Sequence, residues 1–148
     1  MEFNKVKAYV CPVPGREQKI AAIKKMIVDA GGELICDDKQ TIAGFEVCID
    51  QCDVIVILIC PETDNADYEA AIDYAKKINK RIVGIWLDET AEGGGGGVSI
   101  PAALDREGDA VVEPTIESVK KAVIEKERIW KEPDGTKRAV QKTPRHKG

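Results

Sequence analysis

Apolar residues fall along this chain in two rhythms. Short unbroken runs rich in Val and Ile alternate with longer stretches in which apolar residues return every third or fourth position. Lys5 to Cys11 (KVKAYVC) predicts a strand, ended by Pro12 and Pro14-Gly15. Arg16 to Ala30 predicts a helix, because Ile20, Ile23, Ile27 and Ala30 share one face while Lys19, Lys24 and Lys25 face water. Gly31-Gly32 stops it. Glu33 to Cys36 reads as a second strand, followed by the loop Asp37-Asp38-Lys39, and Ala43 to Gln51 as a short helix. Val54 to Cys60 is apolar at seven successive positions, the pattern of a strand covered on both faces in the middle of a parallel sheet. Asn65 to Asn79 predicts a third main helix, Arg81 to Leu87 (RIVGIWL) a fourth strand, and Ala110 to Val112 a short edge strand. Thr115 to Ile129 closes the pattern as a helix, with Thr115 as cap, Glu117 in the first turn, and Val119, Val123 and Ile124 turned inward.

This alternation is that of an α/β protein: a single doubly wound, flavodoxin-like sheet of five parallel strands in the order 2-1-3-4-5, with helices on both faces. One domain over residues 1–130 is expected, followed by an irregular, basic segment over 131–148. The 148 residues carry a net charge of −4, unevenly spread. Residues 131–148 hold six Lys or Arg against Glu132 and Asp134, or +4, which leaves −8 on the rest. The basic segment can meet an acidic partner, or simply be a solvated end. An acidic body speaks against a dedicated nucleic-acid binder. The longest apolar run is too short for a membrane span and the first residues lack a signal-peptide shape, so a cytoplasmic protein is expected. Five cysteines, Cys11, Cys36, Cys48, Cys52 and Cys60, lie mostly in apolar segments. Reduced, buried thiols are the expectation for that address. Cys48 and Cys52 share a helix face but lack the second pair a closed zinc site needs, and the one histidine is His146.

In such a sheet a ligand sits beyond the carboxyl ends of the strands, where the strand order reverses. The facing loops are Pro12 to Glu17 and Pro61 to Asp67, with Asp37 and Asp38 beside them. Phosphate-loop and dinucleotide glycine motifs are absent there; the five glycines Gly93 to Gly97 follow the fourth strand and read as a mobile loop. With one histidine and no G-x-S-x-G, a Ser-His-Asp set is excluded. What remains is a carboxylate site built from Glu62, Asp64, Asp67 and Glu69. Breaking the bond between ribose C1′ and a base passes through an oxocarbenium-like state, which an adjacent carboxylate stabilises. A cationic base such as the nicotinamide of NAD+ leaves most readily. Glu69 is the candidate, although an acid in a first helical turn also gains from the helix dipole alone.

The block IDQCDVIVILICPE followed by DYEAAIDYAKKINKRIVGIW resembles the superfamily that joins bacterial TIR-like domains to nucleoside 2-deoxyribosyltransferases. The matching parts are the strand Asp53 to Leu58, Glu69 on the following helix, and Ala75 to Ile85, with Asn79 where the family usually has Gly. IPAAL at Ile100 to Leu104, and Gly108 to Val112, resemble short TIR-like proteins of bacterial antiviral systems. The resemblance implies an NAD+-processing N-glycosidase, a hydrolase or cyclase that releases nicotinamide, with Glu69 catalytic and NAD+ as substrate rather than cofactor. It further implies a homo-oligomer. Cys11, Pro12, Arg16, Cys60, Asp64, Asp67 and Tyr68 are the expected substrate contacts, with Cys11 and Cys60 flooring the pocket. Arg16 is placed to meet a phosphate or to stay at the surface. The alternatives are a nucleoside deoxyribosyltransferase or nucleotide N-glycosidase, and a non-catalytic nucleotide-binding or interaction module. The transferases' Asp six residues before the Glu is Thr63 here, and their preceding Gly-Thr pair is missing.

Overall fold

The computed structural model describes residues 5–63, 65–87 and 100–130. Five parallel strands form one sheet: β1 (Lys7–Val10), β2 (Glu33–Leu34), β3 (Val54–Ile59), β4 (Arg81–Trp86) and β5 (Ala110–Val112), in the order β2-β1-β3-β4-β5. The expected strand order and doubly wound α/β class are the observed ones. Register runs through Ala8↔Val54 and Tyr9↔Ile55 on one side of β3, and Val56↔Val83 and Ile59↔Trp86 on the other. All six residues of β3 are fully covered, so its unbroken apolar run matches its central place.

The helices are α1 (Glu17–Asp29), α2 (Phe45–Gln51), α3 (Ala66–Lys77), α4 (Ala102–Glu107) and α5 (Ile116–Val119). α1 packs on α5, whereas α2, α3 and α4 lie side by side. Right-handed crossovers that leave β1 in one direction and return in the other put the two groups on opposite faces. The buried stripe of α1 is Ile20, Ile23 and Ile27, and that of α3 is Tyr68, Ala71, Ile72 and Ala75, both at helical spacing. β4 admits a glycine at its centre because α4 comes so close: a Cβ on Gly84 would lie 2.7 Å from a Leu104 methyl.

Three features differ from the sequence expectation. α4 is an additional helix; six residues behind Pro101 are too few to show a helical period. The closing helix is not continuous to Ile129. α5 widens into a π turn over Lys120–Ile124, and Lys126 takes a left-handed φ of 58° that reverses the chain. Arg81 holds this ending, its Nε donating to the Ala122 carbonyl (3.0 Å) and its Nη2 to that of Glu127. Ile129 and Trp130 thereby rise beside β5, where Val111 N–H donates to the Ile129 carbonyl at 2.7 Å and Trp130 bridges Val111 in parallel.

The third difference concerns the thiols. Cys36 and Cys48 form a disulfide, with Cα atoms 6.0 Å apart, so the expectation of five reduced cysteines is corrected. The loop after β2 folds back onto α2 and brings the two together. Cys11, Cys52 and Cys60 are free and buried. No helix among the described residues is long and apolar enough to cross a membrane.

Candidate functional site

The carboxyl ends of β1 and β3 meet where the strand order reverses. After β1 the chain continues through Cys11, whose N–H donates to the Val56 carbonyl (3.1 Å), into Pro12 and Val13, and turns at Gly15 with φ 92°. After β3 a 3-10 turn at Pro61–Thr63 leads to α3. Thr63 is fully buried; its hydroxyl lies 2.9 Å from the Leu58 and Cys60 carbonyls and accepts from the Cys60 N–H at 3.3 Å. Asn65 caps α3, accepting from the N–H groups of Asp67 (2.8 Å) and Tyr68 (3.3 Å), and its own amide donates to the Glu62 carbonyl at 2.7 Å.

Two links join the facing loops. The Arg16 guanidinium grips Glu62 with both ends of its fork, Nε to Oε2 at 3.1 Å and Nη2 to Oε1 at 2.8 Å. Arg16 holds the Glu62 carboxyl below the ordinary carboxylate range, against a smaller opposing effect of burial. Deeper in, the Tyr68 hydroxyl donates to the Pro12 carbonyl at 2.6 Å. Burial, reinforced by the neighbouring Cys11, pushes the Tyr68 phenol well up, so it stays a donor.

The expected site residues divide into groups. Pro12, Arg16 and Tyr68 come together at the β1–β3 crevice, and Cys11 and Cys60 lie beneath them. Both thiols are 0 % exposed, sealed under the loops rather than open to a ligand. Burial raises both; at Cys60 the Glu62 carboxylate adds to it. Neither thiol is poised as a nucleophile. Asp67 is exposed in the first turn of α3. Asp64, the Gly93–Gly97 segment and residues 131–148 lie outside the described residues.

Glu69 is half-buried in the first turn of α3, and its side chain has no polar partner among the described residues. Its direction follows from helical spacing. Asp73 and Lys76 share its face, and they pair with Arg106 and Glu107 of α4, each at 3.6 Å. Tyr74, on another face, donates to Asp50 of α2 at 2.6 Å. Glu69 therefore stands on the flank of α3 toward α4 and the end of β4, whereas Tyr68 turns to the β1 loop. The catalytic candidate and the crevice residues occupy adjoining sides of one helix end.

Sequence reasoning missed a cleft of about 570 Å³ beside α1, a size typical of small-molecule sites. Val13, Ile20 and Leu34 give it an apolar wall, and Asp37, Lys39 and Gln40 of the β2–α2 loop form a polar lip. Lys24 spans it, reaching the Asp37 carboxylate at 2.9 Å and carbonyl at 3.0 Å. The only advance signal was the pair of acids at the end of the second strand. Glu69 does not line this cleft. Among the described residues no group of three or more His, Cys, Asp or Glu is placed to hold a metal ion.

The fold and the crevice define a doubly wound α/β protein with its loops arranged as in ligand-binding sheets. A scan against protein-family models finds no match, and a search of curated proteins finds none at a significant level.

Proposed function

We propose that this protein cleaves an N-ribosyl bond, with Glu69 as the carboxylate that stabilises or attacks ribose C1′, and that NAD+ is the substrate, nicotinamide being released by hydrolysis or cyclisation. The reading rests on one observation. Along the loops that end β1 to β3 and the first turn of α3, Glu62 is bound by Arg16, Asp37 by Lys24 and Glu17 by the Gly15 N–H, and Asp67 is exposed. Among the described carboxylates there, Glu69 alone is half-buried without a polar partner. A carboxylate held at the strand ends, with no cation paired to it among the described residues, is what a transient sugar cation calls for. The resemblance to TIR-like proteins points the same way, and with it come the proposals of a homo-oligomer, a role in nucleotide signalling or antiviral defence, and a cytoplasmic address.

A second reading is favoured by the Arg16–Glu62 pair. With its guanidinium fork closed on a carboxylate, this acidic rim suits a neutral nucleoside better than a pyrophosphate. A nucleoside N-glycosidase or deoxyribosyltransferase would take such a substrate. The buried Thr63, at the position of the transferases' Asp, argues against the transferase form.

Incubation with NAD+ and chromatography for free nicotinamide tests the first reading; base exchange between deoxyinosine and adenine tests the second. Glu69→Gln should lower the active reaction by about a hundredfold or more while leaving the melting temperature near wild type. Unchanged turnover in that variant removes Glu69 from the mechanism. No turnover of either substrate, with a nucleotide raising the melting temperature, leaves a binding module.

A further inference from the structure

We propose that the Cys36–Cys48 disulfide is a thiol-responsive clasp that holds the β2–α2 loop in place as the lip of the cleft beside α1. The bond ties the end of the edge strand β2 to α2, and between its two cysteines lie the lip residues Asp37, Lys39 and Gln40.

Little else holds this segment. From Asp37 to Val47 only Ile42 is buried, and it keeps 8 % exposure. The other anchors are the Lys24–Asp37 pair, a Lys39 N–H bond to the Cys36 carbonyl (3.2 Å), and the Lys39 ammonium on the Ala43 carbonyl (2.7 Å). α2 has seven residues, begins at Gly44 without a side-chain cap, and buries only Cys48 and Ile49. A ring contact and a hydrogen bond, Phe45 with Tyr74 and Tyr74 with Asp50, tie it to α3. Cys36 itself sits at φ 55°, a left-handed conformation that a β-carbon disfavours. Once the bond is gone, only the Lys39 N–H bond to the Cys36 carbonyl, the Lys24–Asp37 pair and Ile42 oppose a return of Cys36 to extended backbone, a return that would swing the lip away from α1.

The chemistry is ordinary exchange. Cys36 is partly exposed and Cys48 is buried, so an incoming thiolate attacks the Cys36 sulfur. A mixed disulfide forms on Cys36, and Cys48 leaves and takes a proton. A second thiol of the reductant attacks the mixed disulfide, freeing Cys36 as a thiol and leaving the reductant as its own disulfide. Two electrons and two protons pass to the protein. The three free cysteines lie buried, apart from this exchange. The proposal does not depend on Glu69 or on any substrate. Its use inside a cell depends on the cytoplasmic address proposed above, where thiols keep such bonds in turnover.

The test uses the full chain without denaturant, equilibrated across a glutathione or dithiothreitol series. Thiols are trapped with maleimide after acid quench and unfolding and counted by mass, while amide exchange is followed in parallel. Two labels should be gained on reduction, at Cys36 and Cys48, with the fold retained. Exchange across residues 37–47 should quicken by at least about tenfold while β3 and β4 stay unchanged. Cys36→Ser, which leaves the buried Cys48 in place, should show the fast exchange with or without reductant. The proposal fails if the two labels appear only when the whole protein unfolds. It fails equally if residues 37–47 exchange at one rate in oxidised, reduced and Cys36→Ser protein, or if the protein purified under oxidising conditions already carries five thiols.

Discussion

Tyr68 and Tyr74 each donate one short hydrogen bond, to different acceptors and in different surroundings. Each hydroxyl donates over 2.6 Å, Tyr68 to the carbonyl of Pro12 and Tyr74 to the carboxylate of Asp50. Tyr68 is 4 % exposed and its acceptor is buried, whereas the Tyr74–Asp50 bond lies at the surface. Phenylalanine at either position removes one oxygen and little else. At Tyr68 the Pro12 carbonyl is left in a dry place without a partner, which costs about 1–3 kcal/mol. At Tyr74 water replaces the lost donor, and the expected cost is below about 0.5 kcal/mol. For a chain of this size a central loss of about 2 kcal/mol lowers Tm by roughly 4–8 °C. Urea unfolding of wild type, Tyr68→Phe and Tyr74→Phe should show a lower midpoint for the first variant alone, with the slope unchanged. Equal midpoints for the two variants would refute the argument, since burial is the difference invoked. Because the Tyr68 bond joins the start of α3 to the first loop, the same variant should also loosen the crevice.

Other expectations follow from neighbouring contacts. Asn65→Ala removes the cap of α3 and should cost about 1 kcal/mol by denaturant titration, with Asn65→Ser recovering most of it. Gly84→Ala puts a methyl 2.7 Å from Leu104 and 3.2 Å from Ile59, an overpacking worth about 1–3 kcal/mol; adding Leu104→Val should shrink the loss, and simple additivity would show that the clash is not the cause. Arg16→Gln tests the pair with Glu62 through pH. The Glu62 carboxyl is depressed in the folded protein, so the pair stabilises above the ordinary carboxyl range and fades as acid protonates it. The Tm difference between wild type and variant should be present at pH 7 and narrow below about pH 4; a gap that widens in acid would mean the pair is not the source.

Position along the chain decided what could be read in advance. β3 could be assigned because seven apolar residues in a row fit the covered centre of a parallel sheet, and α3 because its inward residues repeat over two turns. The strand order followed from the alternation of strands and helices and the usual order of small doubly wound sheets. The Cys36–Cys48 bond could not be read, since it depends on how a loop of mixed composition folds back, and each cysteine taken alone fits a buried thiol. The same is true of the π turn, which is set by Arg81 reaching from another strand to two carbonyls. At the site, sequence placed Glu62 and Arg16 on facing loops without joining them. It grouped Tyr68 with Glu69, although successive helical residues point about 100° apart and these two serve different sides of α3.

The chain's two tryptophans stand on different parts of one sheet border: Trp86 ends β4 at its carboxyl side, and Trp130 rests beside β5, beyond the turn that Arg81 fastens. Both are nearly sealed from solvent, at 2 % and 8 % exposure. Their fluorescence is thus a built-in optical reporter with separable channels. A Trp86→Phe protein watches only the seam beside β5, and a Trp130→Phe protein only the carboxyl end of β4, so changes at that strand end can be timed independently of fraying at the seam.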